Sequence, residues 1–164
     1  MKLIDLLKEI NEGKQVGTLY HWTNNSNLLN ILNTNTLVPN YTEGGGIHKD
    51  QSGPYVSFTR SKDKNQFTIA EEANALLIIE GDKLSNNYKI IPFQDYGSDY
   101  ELSDDVGDQF DESEERIYKK TIKNLDKYLI KVILYKNIEN FWGENKFNEC
   151  IELLKEKNIP YEIK

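Results

Sequence analysis

Apolar residues recur along this chain with two different periods, and the periods predict where its helices and strands lie. Leu3, Leu6, Leu7 and Ile10 are spaced as on one side of a helix, which we predict over residues 2–12. Short continuous or alternating apolar runs elsewhere indicate strands. The remaining predicted elements are strands at 16–20, 55–59, 75–79, 88–92, 116–118, 128–135 and 160–163, and helices around 28–32, at 62–72 and at 145–157.

The order of these elements indicates the fold class. Strands and helices do not alternate regularly, so a parallel sheet built from βαβ units is not expected. The sequence instead predicts an α+β fold with a largely antiparallel sheet and helices laid against it. No internal repeat or linker divides the chain, and its 164 residues are enough for one domain with a real core, so we expect a single domain over 1–164.

Composition and charge exclude several classes of protein. The net charge is -7, which disfavours binding along a phosphate backbone because that needs clustered Lys and Arg. One cysteine, Cys150, allows no intrachain disulfide, which suits a reducing compartment. No apolar run is long enough to span a membrane, and the N-terminus does not resemble a signal peptide. We therefore expect a cytoplasmic protein without a membrane partner.

Common catalytic motifs are also missing from the sequence. The two histidines, His21 and His48, have no spacing typical of metal ligands, so we expect no metal site. Gly44-Gly45-Gly46 is not followed by the Lys-Ser/Thr of a phosphate-binding loop, and the glycines indicate either a lid or a slack surface loop. Cys150 shares the apolar side of a predicted helix, which is typical of a buried thiol rather than a nucleophile.

The stretch Leu19–Thr23 is the first candidate for a functional site. It begins as an apolar strand and passes into a polar turn in which residues 23–26 are typical helix caps. His21 is predicted at the end of the strand, just before a helix N-terminus where backbone N–H groups are free. An imidazole there can donate a hydrogen bond to a ligand or accept one from it. Alternatively, it bonds only to the helix N-terminus at the protein surface.

Two further segments carry candidate polar groups. Tyr55, Ser57 and Thr59 alternate with apolar residues, so they share one face of a predicted strand. They are either ordinary cross-strand hydroxyl groups or part of a pocket. Glu114 and Glu115 end an acidic stretch and are predicted to lie immediately before a strand, where a carboxylate is held rigidly; a solvated acidic loop is the simpler alternative.

Together these segments resemble the histidine-containing branch of the ADP-ribosyltransferase superfamily, which includes diphtheria-toxin-like enzymes, poly(ADP-ribose) polymerases and DarT-type toxins. Tyr20-His21-Trp22-Thr23 is similar to the family's Tyr-His-Gly-Thr strand, with Trp22 in place of glycine. The segment 55–61 looks like its aromatic-plus-hydroxyl strand, and 112–118 like the strand opened by its glutamate. Small phage and bacterial proteins with Ser-Phe-Thr-Arg-Ser and Glu-Glu-Arg-Ile elements are also similar.

The resemblance implies a split-sheet fold, NAD as substrate and a role for each matching residue. His21 would hydrogen-bond the adenosine ribose, the Trp22 backbone would bind the nicotinamide amide, and Thr23 would support the turn. Tyr55 would stack on nicotinamide, with Phe58 as the second choice. Ser57 and Thr59 would shape the pocket floor. The catalytic carboxylate would be Glu115, or Glu114 if the pair is aligned as Glu112-x-Glu114.

Three functions fit this set of residues. The first is an NAD-dependent ADP-ribosyltransferase that modifies a protein or nucleic acid, in phage–host conflict or as a toxin. The second is a non-catalytic module that binds a nucleotide or a partner on the same fold. The third is an RNA 2'-phosphotransferase-like enzyme, for which Arg60, Lys62 and Lys64 could supply a phosphate pocket against an unfavourable overall charge.

Overall fold

The structure is a computed structural model that describes residues 16–40, 53–60, 73–93, 114–136 and 144–164. The strands are β1 (Thr18–Thr23), β2 (Thr36–Leu37), β3 (Tyr55–Thr59), β4 (Ala75–Glu80), β5 (Ile91–Phe93), β6 (Glu114–Tyr118), β7 (Ile122–Lys123), β8 (Leu129–Leu134) and β9 (Tyr161–Ile163). The helices are α1 (Asn25–Thr34), α2 (Gly81–Ser85), a 3-10 turn (Leu125–Lys127) and α3 (Glu144–Glu156).

Seven of these strands form one sheet in the order β5-β6-β3-β1-β4-β8-β9, and β2 pairs separately with β7. Every neighbouring pair in the large sheet is antiparallel except β8 with β9, which is parallel. The prediction of an α+β fold with a largely antiparallel sheet is therefore confirmed for the described residues. The apolar run of β4 lies inside the sheet, between β1 and β8, as its lack of polar positions indicated.

The two faces of the large sheet bury different residues. One face, called here the helix face, packs Leu19, Leu77 and Phe58 together with Leu28 of α1 and Leu154 of α3. The opposite face carries a smaller apolar cluster of Tyr20, Leu76, Ile78 and Ile133, against which Trp22 and Tyr135 pack. Neighbouring residues along a strand point to opposite faces. Within one strand, the odd-numbered residues therefore lie on one face of the sheet and the even-numbered residues on the other.

Helix α1 begins and ends at residues suited to those positions. The Asn24 side chain accepts a hydrogen bond of 2.8 Å from the backbone N–H of Asn27, which confirms the predicted helix cap within residues 23–26. Asn35 ends the helix in the left-handed conformation, which asparagine tolerates better than most residues. The C-terminal helix, predicted over 145–157, is confirmed as α3.

Several strand boundaries differ from the sequence prediction. β1 continues to Thr23, so His21 lies within the strand and not at its end. β6 begins at Glu114, so both glutamates belong to the strand instead of preceding it. β5 covers Ile91–Phe93 instead of beginning at Tyr88. At β1 and β6, pairing to neighbouring strands extends the strand over polar residues, and the local apolar pattern does not show this pairing.

Several predicted segments lie outside the described residues. These are the helices at 2–12 and 62–72, the loop that contains Gly44-Gly45-Gly46 and the acidic stretch that precedes Glu114. In the part of the chain that is described, no helix is both long and apolar enough to cross a membrane.

Cys150 is completely buried on α3, and its thiol donates to the Asn25 carbonyl oxygen at 3.3 Å, which confirms the prediction of a core thiol. Burial raises its pKa to about 11. At pH 8 the thiolate fraction is therefore on the order of one in a thousand, against roughly a quarter for a free thiol. We expect iodoacetamide to modify native protein at least about 100-fold more slowly than protein unfolded in urea, as followed by mass spectrometry. Equal rates would place the thiol at the surface.

Candidate functional site

The large sheet is weakly joined between β1 and β3. Along these two described strands a single register position is paired, Tyr20 opposite Thr59. By contrast, β1 pairs with β4 over its whole length, from Thr18 to Thr23. The line between β1 and β3, called here the seam, is therefore unpaired on the side of Trp22 and Ser57. This geometry divides the sheet into a three-stranded and a four-stranded part.

The backbone of Trp22 faces this seam. In an antiparallel pair, alternate residues direct both their N–H and C=O groups to the same neighbouring strand. The Gly17 carbonyl accepts from Gly81 N–H at 2.8 Å, so the odd-numbered residues of β1 bond to β4. Tyr20 and Trp22 consequently direct their backbone groups toward β3, and Trp22 lies beyond the last paired position. A donor and an acceptor are thus presented side by side at the seam.

The backbone of Ser57 faces the seam from the other side. The Pro54 carbonyl accepts from Lys119 N–H at 2.7 Å, so the even-numbered residues of β3 bond to β6. Odd-numbered residues of β3 therefore face β1. Asn40 exchanges two backbone hydrogen bonds with Tyr55, of 3.0 and 3.2 Å, and limits the unpaired stretch at that end.

His21 links the two sides of the seam. Its Nδ1 lies 2.8 Å from the Ser57 carbonyl oxygen, and because a carbonyl can only accept, Nδ1 carries the proton. Burial lowers the pKa of His21, with the Ser57 hydrogen bond opposing it more weakly. The neutral ring then presents Nε2 as a hydrogen-bond acceptor. The ring packs against Phe58 on the helix face, with 5.8 Å between centroids.

Glu115 lies on the helix face, directly opposite Phe58 in the β3–β6 register, and is only 5% exposed. Arg60, the residue after β3, donates to its Oε1 from Nε at 2.8 Å and from Nη2. Burial raises the pKa of Glu115, and the Arg60 charge and hydrogen bonds oppose that rise. A carboxylate with a raised pKa and one partner in a partly enclosed place is typical of a functional site.

Glu114 points to the opposite face of the sheet and belongs to a separate hydrogen-bond group. Ser57 Oγ donates to its Oε1 at 2.6 Å, and Arg116 donates from Nε at 2.8 Å and from Nη2 at 2.7 Å. The Arg116 guanidinium also lies 3.9 Å from the centre of the Tyr55 ring, a cation–π contact. These contacts join β3 to β6. Both carboxylate oxygens of Glu114 therefore already accept hydrogen bonds from protein side chains.

The sequence-predicted site residues are thus divided between the two faces. Those on the helix face are His21, Thr23 and Glu115, and those on the opposite face are Trp22, Tyr55, Ser57, Thr59 and Glu114. The Trp22 indole packs on Tyr135, with centroids 5.5 Å apart, so its bulk lies away from His21. The shared face of Tyr55, Ser57 and Thr59 was predicted correctly, although Thr59 is buried.

The ion pair between Arg60 and Glu115 was not predicted from the sequence. Arg60 was considered only as part of a phosphate pocket, and 55 residues separate it from Glu115. The signal in the sequence was the alternation of each strand. Once β3 and β6 are paired, Phe58 lies opposite Glu115, and Arg60 follows directly after β3.

A concave region lies away from the seam. A partly open cavity of about 200 Å³ lies between the end of α1, the 3-10 turn and the end of α3. Its polar rim includes Asn35 and Asp126, which already bond to each other through 2.6 and 2.9 Å hydrogen bonds. In the described residues, no group of three or more His, Cys, Asp or Glu side chains could hold a metal ion. The function proposed below is therefore based on the residues at the seam.

Comparison with known protein families finds no family model that matches this chain. Comparison with curated proteins likewise finds no significant match. Function is therefore inferred from the residues at the seam.

Proposed function

We propose that this chain is an NAD-dependent ADP-ribosyltransferase that modifies a macromolecule, on a split-sheet ADP-ribosyltransferase-like fold. The observation that carries the proposal is the position of His21 and Glu115 on one face of the sheet, on the two strands that flank β3, beside an unpaired seam. The motif resemblance links the same two residues to the two riboses of NAD.

The backbone of Trp22 supports binding of a carboxamide. Its N–H and C=O lie side by side, as in a strand residue that has no antiparallel neighbour at its register position. A primary amide such as that of nicotinamide can accept from the N–H and donate to the C=O, completing the same two-bond ring. Because the indole packs on Tyr135 on the opposite face of the sheet, a tryptophan in place of glycine does not put its side chain beside this edge on the helix face.

The tautomer of His21 supports a contact with a ribose hydroxyl group. Nδ1–H is used by the Ser57 carbonyl, so Nε2 can accept the hydrogen of a hydroxyl. The lowered pKa keeps the ring neutral at pH 7, which preserves this acceptor. The proposed ligand is the adenosine ribose of NAD.

Glu115 has the chemistry that the reaction requires. When the bond between nicotinamide nitrogen and ribose C1' breaks, its electron pair leaves with nicotinamide and positive charge develops on the sugar, as in glycoside cleavage. A carboxylate stabilises that charge and accepts the proton that the acceptor loses as its new bond to C1' forms. Glu115 is proposed for this role because it shares a face with His21, whereas Glu114 points away.

The two aromatic residues that the resemblance assigns to nicotinamide, Tyr55 and Phe58, already contact other side chains. Arg116 already covers one face of the Tyr55 ring, and Tyr55 points to the face opposite His21. Phe58 is the aromatic ring beside His21, but it is 1% exposed and belongs to the core. The Tyr55 ring also packs against Tyr118, with 5.6 Å between centroids, so stacking of nicotinamide on Tyr55 rests on the motif resemblance alone.

The proposal is tested by incubating the purified protein with NAD labelled in the adenylate moiety, with a bacterial lysate that is untreated, protease-treated or nuclease-treated. The expected result is release of nicotinamide and transfer of label to a macromolecule, with the treatments identifying protein or nucleic acid. Folded protein that binds NAD in calorimetry without releasing nicotinamide would instead be a nucleotide-binding module. Folded protein that does neither would contradict the proposal.

A further inference from the structure

We propose that Arg60 is a positioning residue that keeps Glu115 ionised and leaves one oxygen of its carboxylate open to the substrate ribose. This inference rests on the proposed function, because it assigns a ligand to Glu115. It gives a role to a residue to which the motif resemblance assigns none within the proposed enzyme, and its test has a readout that is independent of activity.

The geometry of the ion pair is one-sided. Both Arg60 nitrogens, Nε and Nη2, donate to the same oxygen, Oε1 of Glu115. In the described part of the chain no hydrogen bond reaches Oε2. Two donors from a planar guanidinium fix the rotation of the carboxylate better than a single ammonium could. The free oxygen is therefore held in one direction.

The surroundings of Glu115 explain why a fixed cation is needed. Val56, Phe58 and Ile117 lie on the same face of β3 and β6, and all three are buried. A carboxylate among apolar side chains favours its protonated form, which can neither stabilise positive charge nor accept a proton. The guanidinium of Arg60 opposes this desolvation without cancelling it, and is itself only 25% exposed, so solvent screens it little.

Few other charged groups among the described residues can replace Arg60. On the adjoining strands, His21 faces the same side but is neutral, and Pro92 of β5 lies opposite Glu115 in register. Glu114 and Arg116, the neighbours of Glu115 on β6, point to the other face and bond to each other. Among the described residues, the ionisation of Glu115 thus depends on one side chain, that of Arg60, which follows β3.

The test compares Arg60→Met and Arg60→Lys with the unaltered protein. Carboxyl carbons of ¹³C-labelled glutamate are titrated by NMR, and the Glu115 signal is identified by its loss in Glu115→Gln. Removal of an adjacent opposite charge is expected to raise the pKa of Glu115 by about one to three units in Arg60→Met. Arg60→Lys, which keeps the charge, is expected to raise it by less. Lys131→Met, which breaks the exposed pair with Glu162, is the matched control and leaves the Glu115 signal unchanged.

Nicotinamide release and NAD affinity are then measured against pH. In Arg60→Met the acid limb of kcat is expected to move upward with the Glu115 pKa, while the Kd for NAD changes less than about threefold. An unchanged Glu115 pKa would overturn the proposal. A Kd raised at least about tenfold at every pH would also overturn it, because Arg60 would then contact the nucleotide itself.

Failure of this inference can be distinguished from failure of the proposed function. If the unaltered protein neither binds NAD nor releases nicotinamide, the proposed function fails, and the assignment of the open oxygen to a ribose fails with it. The NMR titration still decides whether Arg60 sets the ionisation of Glu115. If Arg60→Met does not fold, Arg60→Lys supplies the comparison, with a smaller shift in the same direction.

Discussion

Glu115→Gln is expected to lower the rate of nicotinamide release by about 10²- to 10⁴-fold. Glutamine has nearly the same shape as glutamate, but it is neutral at every pH and can neither stabilise positive charge on the ribose nor accept a proton. Since the proposed site also binds NAD through His21 and the Trp22 backbone, the affinity for NAD should change much less than kcat. The measurement is single-turnover release of labelled nicotinamide at saturating NAD, together with calorimetric binding.

Glu114→Gln is the comparison that separates the two adjacent glutamates. It weakens the pair with Arg116 and the hydrogen bond from Ser57, which lie on the opposite face of the sheet. We expect a loss of stability and release of nicotinamide within about tenfold of the unaltered protein, because no transition-state contact is removed. If Glu114→Gln abolished release while Glu115→Gln retained it, the assignment of the carboxylates would be reversed.

Phe58→Ala is expected to reduce the free energy of unfolding by about 3–5 kcal/mol, the range for removing a buried aromatic ring. Phe58 lies in the main core on the helix face and packs against His21, so its loss leaves a cavity beside the proposed site. Urea unfolding followed by circular dichroism measures the change. Phe58→Leu should lose much less, because most of the volume is kept.

Val38→Ala provides the control for this stability measurement. Val38 is 64% exposed, so its truncation should change the free energy of unfolding by less than about 0.5 kcal/mol. If Phe58→Ala cost no more than Val38→Ala, Phe58 would not be buried, and the division of the sheet into two faces would be wrong.

The elements with strong periodicity could be predicted from the sequence. The C-terminal helix, the run at 128–135 and the apolar strand at 75–79 are confirmed because their patterns are long or continuous enough to exclude other structures. Alternation within 55–59 also predicted correctly which side chains share a face. These are local properties, and the sequence holds all the information they need.

The arrangement of the candidate site depends on pairing between distant residues. The seam arises where β1 and β3 stop pairing, and no local pattern marks that point. β6 begins at Glu114, and neighbouring residues in a strand point to opposite faces, so Glu114 and Glu115 lie on opposite faces of the sheet. The sequence had placed both residues immediately before the strand. The sequence proposed the candidate residues, but the faces on which His21, Glu114 and Glu115 lie follow only from the pairing of the strands.

The proposed site is tested most directly by a crystal structure of the protein with a non-hydrolysable NAD analogue. The nicotinamide amide is expected on the Trp22 backbone, with an adenosine-ribose hydroxyl about 3 Å from His21 Nε2 and a nicotinamide-ribose hydroxyl about 3 Å from Glu115 Oε2. A nucleotide bound elsewhere, or bound with its two riboses away from His21 and Glu115, would contradict it.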